Sequence, residues 1–282
     1  MAEREPLKIL VVTAHPHDFT HCAATCGVHV EMGDVVSVVS VTGGGLTHNE
    51  KLHDELLKPE AERDRSIVEE QAADYMGAKE EELRRVCAIF GIEDVRIFGF
   101  RDKPFKNTPE VVRMLREVIL EVRPDIIISQ SPFLEGPNGM PRGGHDDHLE
   151  TAYATAEAQQ QASIPEFGCE EIPHTVAAVY YPGVYFQPDE IDFYVDVTAW
   201  TERRIEAEAA FASQGQSPEF ARRRVEVNVG FYGWRAGTAS AEGFVRAAPD
   251  VVSHIEVSSY ALRRAREPRQ NHMKRMAGEL DS

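Results

Sequence analysis

The chain is short of positive charge. Its 282 residues carry 30 Lys and Arg against 47 Asp and Glu, a formal net charge of −17. A surface of that sign repels nucleic-acid phosphates and anionic headgroups, so neither nucleic acid nor an anionic membrane is an expected partner. No run approaches the ~18 apolar residues that a membrane-crossing helix needs, and no membrane insertion is expected. The opening residues MAEREPLKILVV are charged and lead straight into strand-like sequence, without the pattern of an export signal. The expected location is the cytoplasm. Cysteine is scarce as well. Cys22, Cys26, Cys87 and Cys169 do not make a disulfide framework in a chain this long, and their spacing does not suit an all-cysteine zinc site. They read as reduced, mostly buried thiols.

What is present is a foldable core. Hydrophobic residues make up 42% of the chain, which excludes an intrinsically disordered protein. In the first half, strand and helix signals alternate. LKILVVT (Leu7 to Thr13) reads as a strand buried on both faces, β-branched DVVSVVSV (Asp34 to Val41) and Val95 to Phe98 as the second and third strands, and DIIIS (Asp125 to Ser129) as a fourth, buried strand. Helices are expected over Phe19 to Met32, Glu60 to Phe90 with a break near Gly77, Thr108 to Val122, Leu149 to Ala162 and Thr198 to Ala212. Leu46 to Glu60 reads as irregular, and His174 to Tyr181 and Phe193 to Val197 as further strands. The pattern predicts an α/β fold, a mostly parallel sheet flanked by helices on both faces, whose ligands lie beyond the carboxyl ends of the strands. One domain over residues 1–265 with a polar, loose tail over 266–282 is the simplest organisation.

Two clusters carry chemistry. Ala14-His15-Pro16-His17-Asp18-Phe19 leaves the first strand, and Gly144-His145-Asp146-Asp147-His148 follows the fourth. The topology puts both at one sheet edge. Imidazole nitrogens and carboxylate oxygens suit a divalent ion, and a catalytic zinc takes about three protein ligands. A tight turn can aim His15 and Asp18 at one point, with His148 completing the set. Asp147 or His145 can orient a ligand or the water from behind. His21, His29, His48 and His53 lie outside these turns and are read as non-ligands. The triple glycine Gly43 to Gly45 is not followed by the pattern of a dinucleotide-binding turn and reads as a loop near the site. The aromatics Tyr180, Tyr181, Tyr185, Tyr232 and Trp234 suit packing in the core, a pocket or a subunit contact.

At these residues the sequence resembles the LmbE/PIG-L zinc-dependent deacetylases. Ala14-His15-Pro16-His17-Asp18 is similar to their AHPDD motif and His145-Asp146-Asp147-His148 to their HPDH motif. Phe98-Gly99-Phe100-Arg101-Asp102, Pro124-Asp125-Ile126-Ile127, Val195-Asp196-Val197-Thr198, Ser213-Gln214 and Ala241-Glu242-Gly243-Phe244 resemble further landmarks in the same order, over residues 7 to 245. The resemblance implies a Rossmann-like fold and one zinc ion held by His15, Asp18 and His148, iron or manganese being compatible with the same mixed ligands. It implies hydrolysis of an N-acetyl amide on an amino sugar or a related small molecule. His17 stands at the general-base position, His145 where a histidine assists the oxyanion or leaving group, and Asp147 where it keeps that machinery in register. Asp102 would lie at the pocket rim, with Arg101 in contact with substrate. Trimers or hexamers of the chain are a further implication.

Three departures stand out. The base position holds His17 rather than Asp, Phe19 replaces a usual Glu, and Gly143 falls where some members carry Tyr. A neutral imidazole can still accept a proton, although a neighbouring ion lowers its pKa. Some relatives that also lack the Asp are hydratases of unsaturated carboxylated keto acids, for which Arg101 and Arg142 would be the cations facing the substrate. A third possibility is a non-catalytic metal-binding protein in which His17 is a fourth ligand and closes the site.

Overall fold

The structure is a computed structural model that describes residues 5–70, 72–133, 146–165 and 170–280. The strands are β1 (Lys8–Thr13), β2 (Val35–Thr42), β3 (Asp94–Phe100), β4 (Ile126–Ser129), β5 (Ala178–Pro182), β6 (Phe193–Asp196) and β7 (Ala241–Arg246). They form one seven-stranded sheet in the order β3-β2-β1-β4-β5-β7-β6. The first five in that order run parallel, and β7 runs antiparallel to both β5 and β6. The α-helices are α1 (Ala23–Glu31), α2 (Glu50–Leu57), α3 (Arg65–Val68), α4 (Ala72–Ile89), α5 (Pro109–Val122), α6 (Asp147–Ala162), α7 (Thr201–Ala209), α8 (Pro218–Ala236), α9 (Ser259–Arg266) and α10 (Asn271–Met276).

The two faces of β1 show why its sequence is a continuous apolar run. Successive side chains point to opposite faces of a strand. Ile9 and Val11 enter one core with Ala23 and Cys26 of α1, Leu83 of α4 and Phe90 just after it, and Ala207 of α7 and Phe211 just beyond it. Leu10 and Val12 enter the other, with Val111, Leu115 and Ile119 of α5 and Ala154 and Ala158 of α6. Because both faces are covered, there is no polar alternation. α5 starts where its sequence says it should: the Thr108 hydroxyl accepts from the Val111 N–H and Pro109 occupies the first turn.

Several elements differ from expectation. Residues 50–57 form a helix, capped by the Asn49 side chain on the Leu52 N–H. α4 passes through Gly77 without interruption, since the tertiary packing of Leu83, Val86 and Phe90 outweighs the modest helical cost of one glycine. The span expected as one helix from Phe19 to Met32 divides into a 3-10 turn, Pro16–His21, and α1. α8 and β7 have no counterpart among the expected elements. The tail, expected loose, carries α10, whose buried Arg275 pairs with Glu267. No helix among the described residues is long and apolar enough to cross a membrane.

The carboxyl ends of β1, β2, β3 and β4 share one edge, as their parallel pairing requires. The residues that follow them, His15, Gly43 to Thr47, Asp102 and Gln130, meet there with the first turn of α6.

Candidate active site

The turn after β1 builds half of the site from its own backbone. The Asp18 N–H donates to the His15 carbonyl at 3.1 Å, and Asp18 Oδ2 accepts from the His15 backbone N–H at 2.9 Å. This reciprocal cap fixes His15 and Asp18 three residues apart with both side chains turned inward. The other half comes from α6, where the Asp146 carboxylate accepts from the His148 N–H at 2.8 Å and caps the helix. His148 Nε2 then lies 3.3 Å from Asp18 Oδ2, and His15 Nδ1 lies 3.3 Å from the same oxygen. One ligand atom from each of His15, Asp18 and His148 falls within 4.8 Å of the others.

The donor set fits a divalent cation. It offers two imidazoles and one carboxylate in a buried pocket, a combination that suits zinc and other first-row metals. Around it, charge is balanced by protons. Burial alone would lower the His15 pKa, but hydrogen bonds to Asp147 and Asp18 raise it to about 9. Burial would raise that of Asp18, yet His148 and His15 hold its carboxyl well below the usual carboxylate range. A site that keeps a carboxylate charged and wants a positive charge on an imidazole is one that a cation satisfies.

Asp147 stands behind His15. Its Oδ2 is 3.0 Å from His15 Nε2 and accepts from the Lys103 N–H at 3.1 Å, while Oδ1 accepts from the Phe105 N–H at 2.7 Å. The two faces of one imidazole are thereby assigned: Nδ1 toward Asp18 and His148, Nε2 toward Asp147. Gln130, directly after β4, donates from Nε2 to Asp18 Oδ2 at 3.1 Å, and its buried Oε1 has no hydrogen-bond partner.

His17 does not join the ligand group. Its Nδ1 is 3.7 Å from Asp18 Oδ1, and its Nε2 is buried without a hydrogen-bond partner, 4.0 Å from Glu208 Oε1. Burial pushes its pKa well below the ordinary histidine value. The rings of His21, His48 and Phe211 surround it, with centroids 5.6, 5.5 and 5.8 Å away. Behind it lies an ionic network that the motifs did not reveal. Glu208 accepts from Arg204 at 2.6 Å and pairs with Arg224 at 2.8 Å; Arg204 also faces Glu242 at 3.7 Å. Glu242 in turn accepts from the Ala24 and Thr25 N–H groups at the start of α1. The sequence signal was present in α7: an Arg and a Glu four residues apart inside an alanine-rich stretch, which spacing alone does not distinguish from a solvated pair.

Tyr185 also belongs here. Its hydroxyl is 3.0 Å from His21 Nδ1, and its ring stands edge-on to His148 at 5.5 Å. Asp102, expected at the rim in contact with substrate, is 1% exposed. Its carboxylate accepts from the Leu46 N–H at 3.0 Å and from Thr47 Oγ1 at 2.6 Å, so it fastens the glycine loop after β2, and it stays within 4.8 Å of His15 and Asp147. Lys79 of α4 holds the same loop from below by donating to the Gly44 carbonyl at 2.8 Å and to the Thr47 carbonyl. Arg101 is exposed. His145, Arg142 and Gly143 lie outside the described residues.

The site is therefore a His/Asp cluster that could hold a divalent ion, set at the carboxyl edge of a mostly parallel α/β sheet. The family model described as PIG-L, GlcNAc-PI de-N-acetylase, matches residues 10–159, and the chain belongs to that family. It is 29% identical over 161 residues to a probable N-acetyl-α-D-glucosaminyl L-malate deacetylase 2 of Bacillus anthracis, covering 56% of this chain and 61% of the relative. It is 27% identical over 192 residues to a 1D-myo-inositol 2-acetamido-2-deoxy-α-D-glucopyranoside deacetylase of Thermomonospora curvata, covering 61% of this chain and 59% of the relative. The chain therefore spans about three fifths of the length of these relatives. In fold it is similar to the crystal structure of the 4-carboxy-2-hydroxymuconate hydratase of Pseudomonas putida, with a TM-score of 0.71, 23% identity, and coverage of 89% of this chain and 100% of that one.

Proposed function

We propose that the chain is a metal-dependent deacetylase that removes an N-acetyl group from an amide of a small molecule or sugar conjugate, with zinc as its ion and the cytoplasm as its setting. The observation that carries this reading is the approach of His15, Asp18 and His148, drawn from two distant strand exits, to within 4.8 Å. Family membership supports it. When bound, such an ion polarises a carbonyl and makes water acidic enough to react near neutral pH.

The side chains divide the remaining work. His15, Asp18 and His148 hold the ion. Asp147 fixes the His15 ring and, with Gln130 on Asp18, keeps the ligand atoms converged. His17 stands at the proton-acceptor position with a partnerless Nε2, although burial lowers its pKa and makes it a weak base there. His145 steadies the oxyanion or the leaving amine, Tyr185 forms a wall beside His148, and Arg101 and Arg142 contact the substrate.

The purified protein should release acetate from N-acetylglucosaminyl conjugates, lose that activity to a chelator and regain it with zinc. His17→Asp should raise the rate, because it restores the carboxylate that the AHPDD motif carries at the base position. A second reading rests on the imidazole at the base position, with buried Phe19 after Asp18. A hydratase of an unsaturated keto acid needs a proton donor at carbon rather than a carboxylate base. Absence of acetate release, together with loss of the ultraviolet absorbance of such a keto acid, would select it.

A further inference from the structure

Lys103 follows Asp102 in the turn after β3, and its backbone φ is 44°. That left-handed conformation comes readily to glycine and rarely to a residue with a long side chain. The site holds it in place. The Lys103 N–H donates to Asp147 Oδ2 at 3.1 Å, the same oxygen that lies 3.0 Å from His15 Nε2. A carboxylate oxygen of the preceding Asp102 is within 4.8 Å of His15 and Asp147. A lysine is thus tied into the surroundings of His15 where a glycine would fit the backbone with less strain, and such outliers gather at functional sites. Its side chain is exposed. Two groups on the neighbouring wall feel its charge. Burial is the first cause that lowers the His48 pKa, and the ammonium groups of Lys79 and Lys103 lower it further. Burial likewise brings Lys79 down to about 8, with Lys103 again adding to the fall. The His48 ring in turn lies 5.5 Å from that of His17. The Lys103 ammonium is therefore at the mouth of the site, near the base position.

We propose that Lys103 determines specificity: its ammonium binds a carboxylate on the part of the substrate beyond the acetamido sugar, so the preferred substrate is an N-acetylated sugar conjugate with an acidic aglycone. The inference rests on the deacetylase reading above. In a chain with 47 acidic and 30 basic side chains, carboxylates are in surplus for pairing. Lys106, three residues on, pairs with Glu150 at 3.2 Å. The Lys103 ammonium has no carboxylate partner among the described residues. One free ammonium matches one carboxylate in charge, and a charged hydrogen bond at a partly shielded mouth is stronger than one in open water. The cation also offsets the acidic surface, which would otherwise turn an anionic substrate away. Arg101 stands on the other side of Asp102 and is exposed as well. Lys103 differs in being fastened, through its own N–H, to the carboxylate behind His15.

The test is calorimetric binding to the zinc-loaded full chain of two glucosamine glycosides that have no acetyl group to lose. One carries a carboxymethyl aglycone and the other a carbamoylmethyl aglycone, so they differ only in carboxylate against amide. The wild type should bind the carboxylate about tenfold tighter or more. Lys103→Met should cut that preference to under about twofold, and Lys103→Arg should keep most of it. Lys106→Met should show the wild-type preference, since that lysine is already paired. Elemental analysis should find zinc in every variant, which separates a lost ammonium from a lost site. Should Lys103→Met fail to fold, Lys103→Gly takes its place, because the backbone there suits glycine. Equal binding of the two ligands, binding of neither, or a preference that survives in Lys103→Met overturns the inference. So does a preference that Arg101→Met abolishes and Lys103→Met does not. Acetate release from the N-acetylated forms of both glycosides reports the underlying reading separately. A Lys103-dependent preference without acetate release would keep the carboxylate subsite and remove the deacetylase; acetate release without the preference would do the reverse.

Discussion

His15 and His17 are separated by one proline, are equally buried, and differ in almost every other respect. His15 is flanked by two carboxylates, Asp18 on one ring nitrogen and Asp147 on the other, and these overcome its burial. His17 has its carboxylates farther off, at 3.7 and 4.0 Å, with the imidazole of His21 and the Arg224 guanidinium near, and burial prevails. The lesson is that carboxylate distance, more than depth, decides which imidazole can carry positive charge. One side of the turn is built for a cation. The other is built to stay neutral.

The comparison can be broken first on the His15 side. Asp18→Ala removes the oxygen on which His15, His148 and Gln130 converge, so bound metal, counted by elemental analysis, should fall from stoichiometric to undetectable. Next comes the network behind His17. Glu208→Leu leaves Arg204 buried without its closest carboxylate, and unfolding should become easier by about 3–5 kcal/mol, measured by denaturant titration. Metal content at low denaturant should persist in that variant, since Glu208 serves the His17 side alone.

A gentler change sharpens the same point through pH. Although burial would raise the Glu208 pKa, Arg204 and Arg224 bring it down to about 2 from an ordinary 4.5. A depressed carboxylate contributes stability that is full above pH 4.5 and is lost as pH falls toward 2. Glu208→Gln, which keeps the shape, should therefore be less stable than wild type at neutral pH, and the gap should narrow as the pH falls below 4.5. The smallest effect is expected at Asp147. Asp147→Asn keeps one oxygen to accept from either the Lys103 or the Phe105 N–H, but not both, and weakens the hold on His15. Metal affinity should drop about 10- to 100-fold in a competition titration.

Much of this was legible in the sequence, for identifiable reasons. Strands buried on both faces leave unbroken apolar runs, and β1, β2 and β4 announce themselves that way. The His15 turn was readable because a three-residue spacing at a strand exit is enough to form its cap. Asp102 lies beside His15 and Asp147, but motif position does not tell that its carboxylate also takes the Leu46 N–H and the Thr47 hydroxyl of a neighbouring loop. The pairing of Arg204 and Glu208 within α7 could not be told from a solvated pair, and its link to Glu242 was hidden because it forms only through tertiary packing of α7, β7 and α1. Gln130 could have been suspected: a polar residue right after a buried strand at the carboxyl edge has few other reasons to be there. α2 was missed because its apolar residues are few and exposed, and its cap is one asparagine.

The glycine loop after β2 takes its shape from elsewhere. Lys79 grips it beneath and Asp102 pins it from the side, both by contacts that are almost wholly to main-chain atoms. Its foundations therefore do not depend on what stands at its tip, and Leu46 can be exchanged without moving the rest. That makes residue 46 a tolerant position on the loop, whereas a change at Lys79, out of sight in α4, would let the whole loop slump.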